Sequence, residues 1–281
     1  MFIVILMLRR LTMLGVVSTL AVVNGVGIPP PRVPSPSRAT APAVRVPIPT
    51  LPPVTQSPSA RFSTLPVGAA LPSDADCSAL VRKTAEIRPQ NAPYNVRASG
   101  PAQTGYYAKV TGNFAGTTDE IIQWASCKWG IDEDIVRAQA AKESGWFQQG
   151  RGDWTTDSKL CVPAHGIGVD GRSGQCPESI GVMQTRYPYM QPSFPMATNS
   201  TAYNLDIALA YRRSCFEGND TWLNTVERGQ NYAAGDIWGC VGMWFAGRWH
   251  TSDADTYVGA VQDYMNRRIW TTADFRSWAP V

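Results

Sequence analysis

One glutamate in this chain has the setting of a proton donor. Glu143 lies in the stretch Ala140-Ala141-Lys142-Glu143-Ser144-Gly145-Trp146, near the end of a segment with helical periodicity. A carboxyl group there faces the negative end of the helix dipole. Aromatic walls would add a desolvation cost, and both effects disfavour ionisation and raise the pKa. A carboxyl that stays protonated near neutral pH can deliver a proton to a leaving oxygen. Trp124, Trp129, Trp146 and Trp154 are near enough in sequence to supply such walls. Read alone, Glu143 also fits a solvated charge at a helix terminus. Other chemistries find less support. His165 and His250 are the only histidines, and neither has the companions of a Ser-His-Asp site. No Cys-x-x-Cys pair or His pair has zinc-ligand spacing. Gly166-Ile167-Gly168 lacks the third glycine of a dinucleotide loop. Asp170-Gly171 reads as a turn, because no run of calcium ligands follows it. No cofactor is expected.

The elements that would position Glu143 are mostly helical. Residues 75–88 read as a helix ending before Pro89. Thr117-Thr118-Asp119-Glu120 opens a second, with hydroxyl caps followed by acids in the first turn, and Gly130 stops it. Asp132 caps a third, in which Ile135, Val136, Ala138 and Gln139 set the period and Gly145 marks the end. Residues 146–178, rich in Gly, Asp and Ser, read as a long loop. Further helices are expected over 204–216, near 236–246 and over 255–269. Convincing alternating strands are scarce, so the expected fold class is mainly α.

Downstream of Glu143 come Gly181-Val182-Met183-Gln184, then Asn204-Leu205-Asp206-Ile207-Ala208, then Met243-Trp244-Phe245-Ala246-Gly247. Together with Gly130-Ile131-Asp132 through Glu143-Ser144-Gly145, these four segments resemble, in order and rough spacing, the motifs of the soluble lytic transglycosylase family. The resemblance covers residues 118–250. It implies a lysozyme-like fold and cleavage of the MurNAc–GlcNAc β-1,4 bond of peptidoglycan, with Glu143 as the single acid/base. It implies that Gln184 hydrogen-bonds glycan in the cleft and that Met183 lines the cleft near the acid. Ser144 and Gly181 would belong to the same substrate-binding set. Trp244 takes the place of a tyrosine that approaches the carboxylate in the family, and Phe245 replaces an asparagine, removing a polar group. The gap between Glu143 and Gly181 is longer than usual in the family. A hydrolase acting on the same bond would need a second carboxylate to position water. The candidates are Glu178, which directly precedes the substrate-binding segment, Asp153, Asp157 and Asp170. A reading of another class is a non-catalytic glycan-binding wall module. Aromatic faces stack on sugars, and Trp146, Tyr187, Trp244 and Trp249 lie near the motifs.

Charge and composition bound the rest. Six of the 25 basic residues precede Asp74, whereas all 22 acidic ones lie from Asp74 onward. The globular part is therefore slightly acidic and not a nucleic-acid binder. Residues 1–27 carry a basic pair followed by a short apolar run, the pattern of a signal peptide or an N-terminal anchor, with membrane contact only if that segment is uncleaved. Residues 28–72 are proline-rich and without acids, which predicts a disordered, extended spacer. The domain, with N- and C-terminal extensions, is expected over 73–281, as a monomer. Six cysteines downstream of an export signal predict three disulfides in an oxidising, extracytoplasmic compartment. The pairing expected is Cys77–Cys127, Cys161–Cys176 and Cys215–Cys240.

Overall fold

Side-chain caps fix where several helices begin, and left-handed glycines fix where three of them end. The computed structural model describes residues 61–98 and 103–280, all within one compact unit, Val54–Val281. Its first helices are α1 at Asp74–Leu80, α2 at Thr118–Trp129 and α3 at Glu133–Ser144. A small sheet follows, with β1 at Arg151–Thr155, β2 at Cys176–Ile180 and β3 at Thr185–Arg186. After it come the short α4 (Tyr187–Met190) and α5 (Met196–Asn199), then α6 (Thr201–Phe216), α7 (Ile237–Ala246), α8 (Ser252–Asn266) and α9 (Ala273–Ser277). The described residues are mainly α, as expected.

Thr117 and Glu120 form a reciprocal capping box at the start of α2, and Gly130 closes it with φ 56°. Asp132 accepts from the backbone N–H groups of Asp134 and Ile135 to start α3, and Gly145 ends it with φ 62°. Ser200 and Asp236 cap α6 and α7 in the same way. The small residues Ala138, Ala140 and Ala141 let α3 run through the interior, where it packs against α2 and α8. Ile121, Ile122, Trp124, Val136, Leu205 and Val258 join it in the main core. The charged face between α2 and α6 is also buried. There the Asp206 carboxylate accepts from Lys128 Nζ at 2.8 Å, Trp129 Nε1 at 2.6 Å and two backbone N–H groups.

Three expectations are corrected. The helix expected over 75–88 ends at Leu80, because α2 side chains compete for its backbone donors. Gln123 Oε1 accepts from Arg82 N–H and Glu120 Oε1 accepts from Thr84 N–H, each at 2.9 Å. The stretch 146–178 is not simply a loop. Residues 151–155 and 176–180 pair antiparallel as β1 and β2, and β3 adds to the far edge of β2. The spacer does not extend to residue 72. Phe62 is buried, Leu65 N–H donates to Gly130 O at 3.0 Å, and Arg61 pairs with Asp132 and Asp134. Residues 28–60 of the spacer and the segment 1–27 lie outside the described residues. Among the described residues no helix is long and apolar enough to cross a membrane.

All three expected disulfides are present: Cys77–Cys127, Cys161–Cys176 and Cys215–Cys240. They fit an oxidising, extracytoplasmic environment. Cys77–Cys127 joins α1 to α2 across 50 residues. Replacing both of its cysteines with serine is expected to lower the unfolding free energy by about 2–4 kcal/mol, measured by urea denaturation, since a loop of that length gains much freedom in the unfolded chain.

Candidate active site

Glu143 is the penultimate residue of α3, and its carboxyl is partly buried. It lines a cleft of about 300 Å³ with Lys142, Tyr264 and Trp278. Tyr257 reaches it from α8 and donates its hydroxyl to Oε1. Burial pushes the carboxyl from its ordinary 4.5 up to about 7. The Tyr257 hydrogen bond and the positive charges of Arg212 and Lys142 pull it down, while the negative charge of Asp153 pushes it further up. Burial beside Glu143 raises the Tyr257 hydroxyl well above its usual value, so it stays a donor. The desolvating wall comes from α8 and the C-terminal segment. Trp124, Trp129 and Trp146 lie in the core instead, with Trp146 Nε1 donating to Arg137 O at 2.9 Å.

The segment Gly181–Gln184 sits against the end of α3. Ser144 Oγ donates to Val182 O at 2.9 Å, and Asn204 in α6 holds the turn from the other side. Asn204 Oδ1 accepts from Met183 N–H at 2.8 Å, and its amide donates to Ile180 O, Thr185 Oγ1 and Ala197 O at 3.0–3.1 Å. Gly181, at φ 92°, has no room for a Cβ, which would be driven into the Asn204 amide. Met183 is fully buried, so its side chain belongs to the core below the site. Gln184 is partly exposed at φ 50°, and its Nε2 donates to Gly150 O and Gly181 O, each at 3.0 Å. The Ser144 hydroxyl and the Gln184 amide therefore build the site's frame.

Trp244 does not approach the Glu143 carboxyl as the resemblance implied for its position. Its Nε1 donates to Met183 O at 3.1 Å, and the hydroxyl at Glu143 comes from Tyr257 instead. Phe245, 58% exposed, stacks flat on Tyr257 with ring centroids 4.7 Å apart. Trp249 is buried in a smaller core around Cys215–Cys240, while Tyr187 is half-buried against Phe194. Tyr257 carried no sequence signal separating it from any tyrosine on the buried face of a helix.

The four further carboxylates fare differently. Glu178 is buried and ion-paired with Arg186 at 2.5 Å. Asp170 faces Arg151 and His165, and Asp157 caps a short 3-10 turn. Asp153 is the one whose charge reaches Glu143. It lies opposite Glu178, where the β1–β2 pairing lapses between Gly152↔Ser179 and Trp154↔Pro177 with no change of register, and adopts the left-handed φ 49°. A left-handed φ at a non-glycine strand residue is strained backbone that turns the side chain out of the regular pleat. The Asp153 carboxylate accepts from Ser179 Oγ at 2.7 Å and its side chain is 48% exposed. His250 sits between Asp236 and Asp255 at 2.7 and 3.0 Å, tying α7 to α8.

A larger groove, about 480 Å³, does not include Glu143. Its central charges, Arg82, Arg137, Asp119 and Glu133, are ion-paired with one another, so the smaller cleft with the perturbed carboxyl is the candidate site. Among the described residues no group of three or more His, Cys, Asp or Glu side chains could hold a metal ion. Comparison with protein-family profiles, with curated proteins and with solved structures returns no match.

The raised Glu143 carboxyl has a stability consequence. A group with a folded-state pKa above its unfolded value stabilises fully below the unfolded value and loses that contribution as pH rises through the folded one. The window here is pH 4.5 to about 7. Glu143→Gln is therefore expected to gain about 3 kcal/mol over the wild type between pH 4 and pH 8. Denaturation at a series of pH values checks it, and a difference that stays flat would contradict a buried titrating carboxyl.

Proposed function

We propose that this protein is an exported peptidoglycan lytic transglycosylase with a lysozyme-like fold, acting on glycan strands of the cell envelope. The observation that carries the reading is the Glu143 carboxyl. It is held near pH 7 at a helix end, hydrogen-bonded by Tyr257 and tied through Ser144 to the Gly181–Gln184 turn. A small antiparallel sheet beside the end of a buried helix in a helical bundle is consistent with a lysozyme-like arrangement. The order of the four motif segments adds the substrate class.

In this mechanism neutral Glu143 protonates the oxygen between MurNAc and GlcNAc, and the C1–O bond breaks. The N-acetyl group of the sugar stabilises the developing positive charge. The Glu143 carboxylate, steadied by the Tyr257 hydroxyl, then takes the proton from the muramyl C6 hydroxyl as that oxygen bonds to C1. The product is a 1,6-anhydro end, no water is consumed, and Glu143 regains its proton. One group acts first as acid and then as base, which requires both protonation states within reach at the working pH.

A second reading is favoured by Asp153. A carboxylate presented by a strained, left-handed strand residue and electrostatically coupled to the acid is suited to hold an attacking water, which would make the enzyme a muramidase that releases reducing ends. Mass spectrometry of digested peptidoglycan separates the two, since transglycosylase products are lighter by one water. Anhydro products that persist in Asp153→Asn support the first reading. Reducing-end products lost in Asp153→Asn establish the second. Glu143→Gln is expected to abolish cleavage while sparing the fold, and an active Glu143→Gln variant would overturn both. Binding of glycan without turnover by the wild type would mark a non-catalytic module.

Tyr257→Phe is expected to lower kcat by about 10- to 100-fold, as for loss of a hydrogen bond to a charged group, and to move the alkaline limb to higher pH, because that hydrogen bond favours the ionised carboxyl and the reaction starts from the protonated one. A pH–rate profile of the variant beside the wild type reads this directly.

A further inference from the structure

Arg212 and Arg213 are adjacent in α6, and neither has any exposed surface. Their surroundings differ completely. Arg213 donates to Glu217 and to the carbonyls of Leu65, Gly130 and Pro66. Arg212 donates to nothing: its Nε, Nη1 and Nη2 are all buried without a hydrogen-bond partner. Its guanidinium lies 5.9 Å from the ring centre of Trp244, and the charge-bearing groups that act on it are Tyr257 and Glu143. A buried unpaired cation is strongly unfavourable, and a guanidinium does not escape the cost by losing its proton near neutral pH. The fold thus keeps a fixed positive charge, with no hydrogen-bonding role, on the protein side of the Glu143–Tyr257 pair.

We propose that Arg212 is a positioning residue of the Glu143 site, the buried counter-charge for the carboxylate that Glu143 becomes once it has delivered its proton. The proposal rests on the reading of Glu143 as an acid that then acts as a base. While Glu143 is neutral, Arg212 leaves the buried cluster with an uncompensated charge. When Glu143 ionises, the cluster becomes neutral overall. Burial opposes ionisation and Arg212 favours it, so neither state lies far from the other. The groups facing Glu143 are Tyr257 and Tyr264 from α8, Arg212 from α6, Asp153 from β1 and Lys142 on its own helix. Among them Arg212 is the cation buried in the interior, whereas Lys142 is exposed to solvent and screened by it.

Titration of carboxyl-labelled glutamate by carbon-13 NMR tests this directly, with the Glu143 signal assigned by its loss in Glu143→Gln. Arg212→Met keeps the length and the contact with Trp244 but removes the charge. The Glu143 midpoint is expected to rise by about one pH unit in Arg212→Met and to stay near the wild-type value in Arg212→Lys. The alkaline limb of kcat should move with it while KM holds. A midpoint unchanged in Arg212→Met would overturn the proposal. Arg212→Met should also melt no lower than the wild type, because it removes an unpaired buried charge. A large loss of melting temperature, shared by Arg212→Lys, would instead assign Arg212 to packing alone. A second measurement needs no variant of Arg212: in the wild type, the nitrogen-15 signal of its Nε should shift at the Glu143 midpoint and stay flat in Glu143→Gln. A signal flat in both would sink the proposal. These readouts are independent of turnover. If Glu143→Gln still cleaves glycan, the proposed function falls while the coupling of Arg212 to Glu143 stands or falls on the titration.

Discussion

The amide of Asn204 holds the site together. From one buried position in α6 it bonds the backbone of Ile180, Met183 and Ala197 and the hydroxyl of Thr185. A buried turn must satisfy its own peptide groups, and Asn204 supplies more of these bonds than any other side chain, with Ser144, Gln148, Gln184 and Trp244 adding one each. That demand explains the glycine at 181, where any side chain would occupy the space of the amide. The sheet, the helix α6 and, through Ser144 and Val182, the end of α3 are all referenced to the same point. Trp244 reaches the turn as well, through Met183 O, so α7 is positioned by it too.

A second constraint acts at Glu143, where desolvation and charge pull in opposite directions. The residue stands at the C-terminal end of α3, under Tyr257 and beside Asp153, with Arg212 behind. Each contribution alone would fix one protonation state. Their sum leaves the carboxyl near neutrality, which is the condition that acid and base work by one group requires. Phe245, largely exposed, stacks flat on the ring of Tyr257.

Much of the helical frame was legible because its signals are local. Thr117 with Glu120, Asp132, Gly130 and Gly145 state the ends of α2 and α3 in the chain itself. The strands were not legible. β2 is buried on both faces and carries Pro177, and β1 contains Gly152 and a left-handed Asp153, so neither alternates. The end of α1 was missed because the groups that stop it, Gln123 and Glu120, belong to another helix. Phe62 and Arg61 sit in a proline-rich context, and only their partners in α3 and its cap show that the chain is ordered there.

The sequence by itself determined the helices that cap and terminate locally, the expectation of three disulfides in an oxidising compartment, and Glu143 as the residue to watch. Tertiary structure decided what stands around that carboxyl. Tyr257, 114 residues away, supplies the hydroxyl that Trp244 does not, Asp153 is turned by a left-handed backbone, and Arg212 is buried without a hydrogen-bond partner. The physical reason is range. Caps and periodicity act within a turn or two of the chain, whereas desolvation and charge depend on whatever the fold brings within a few ångströms.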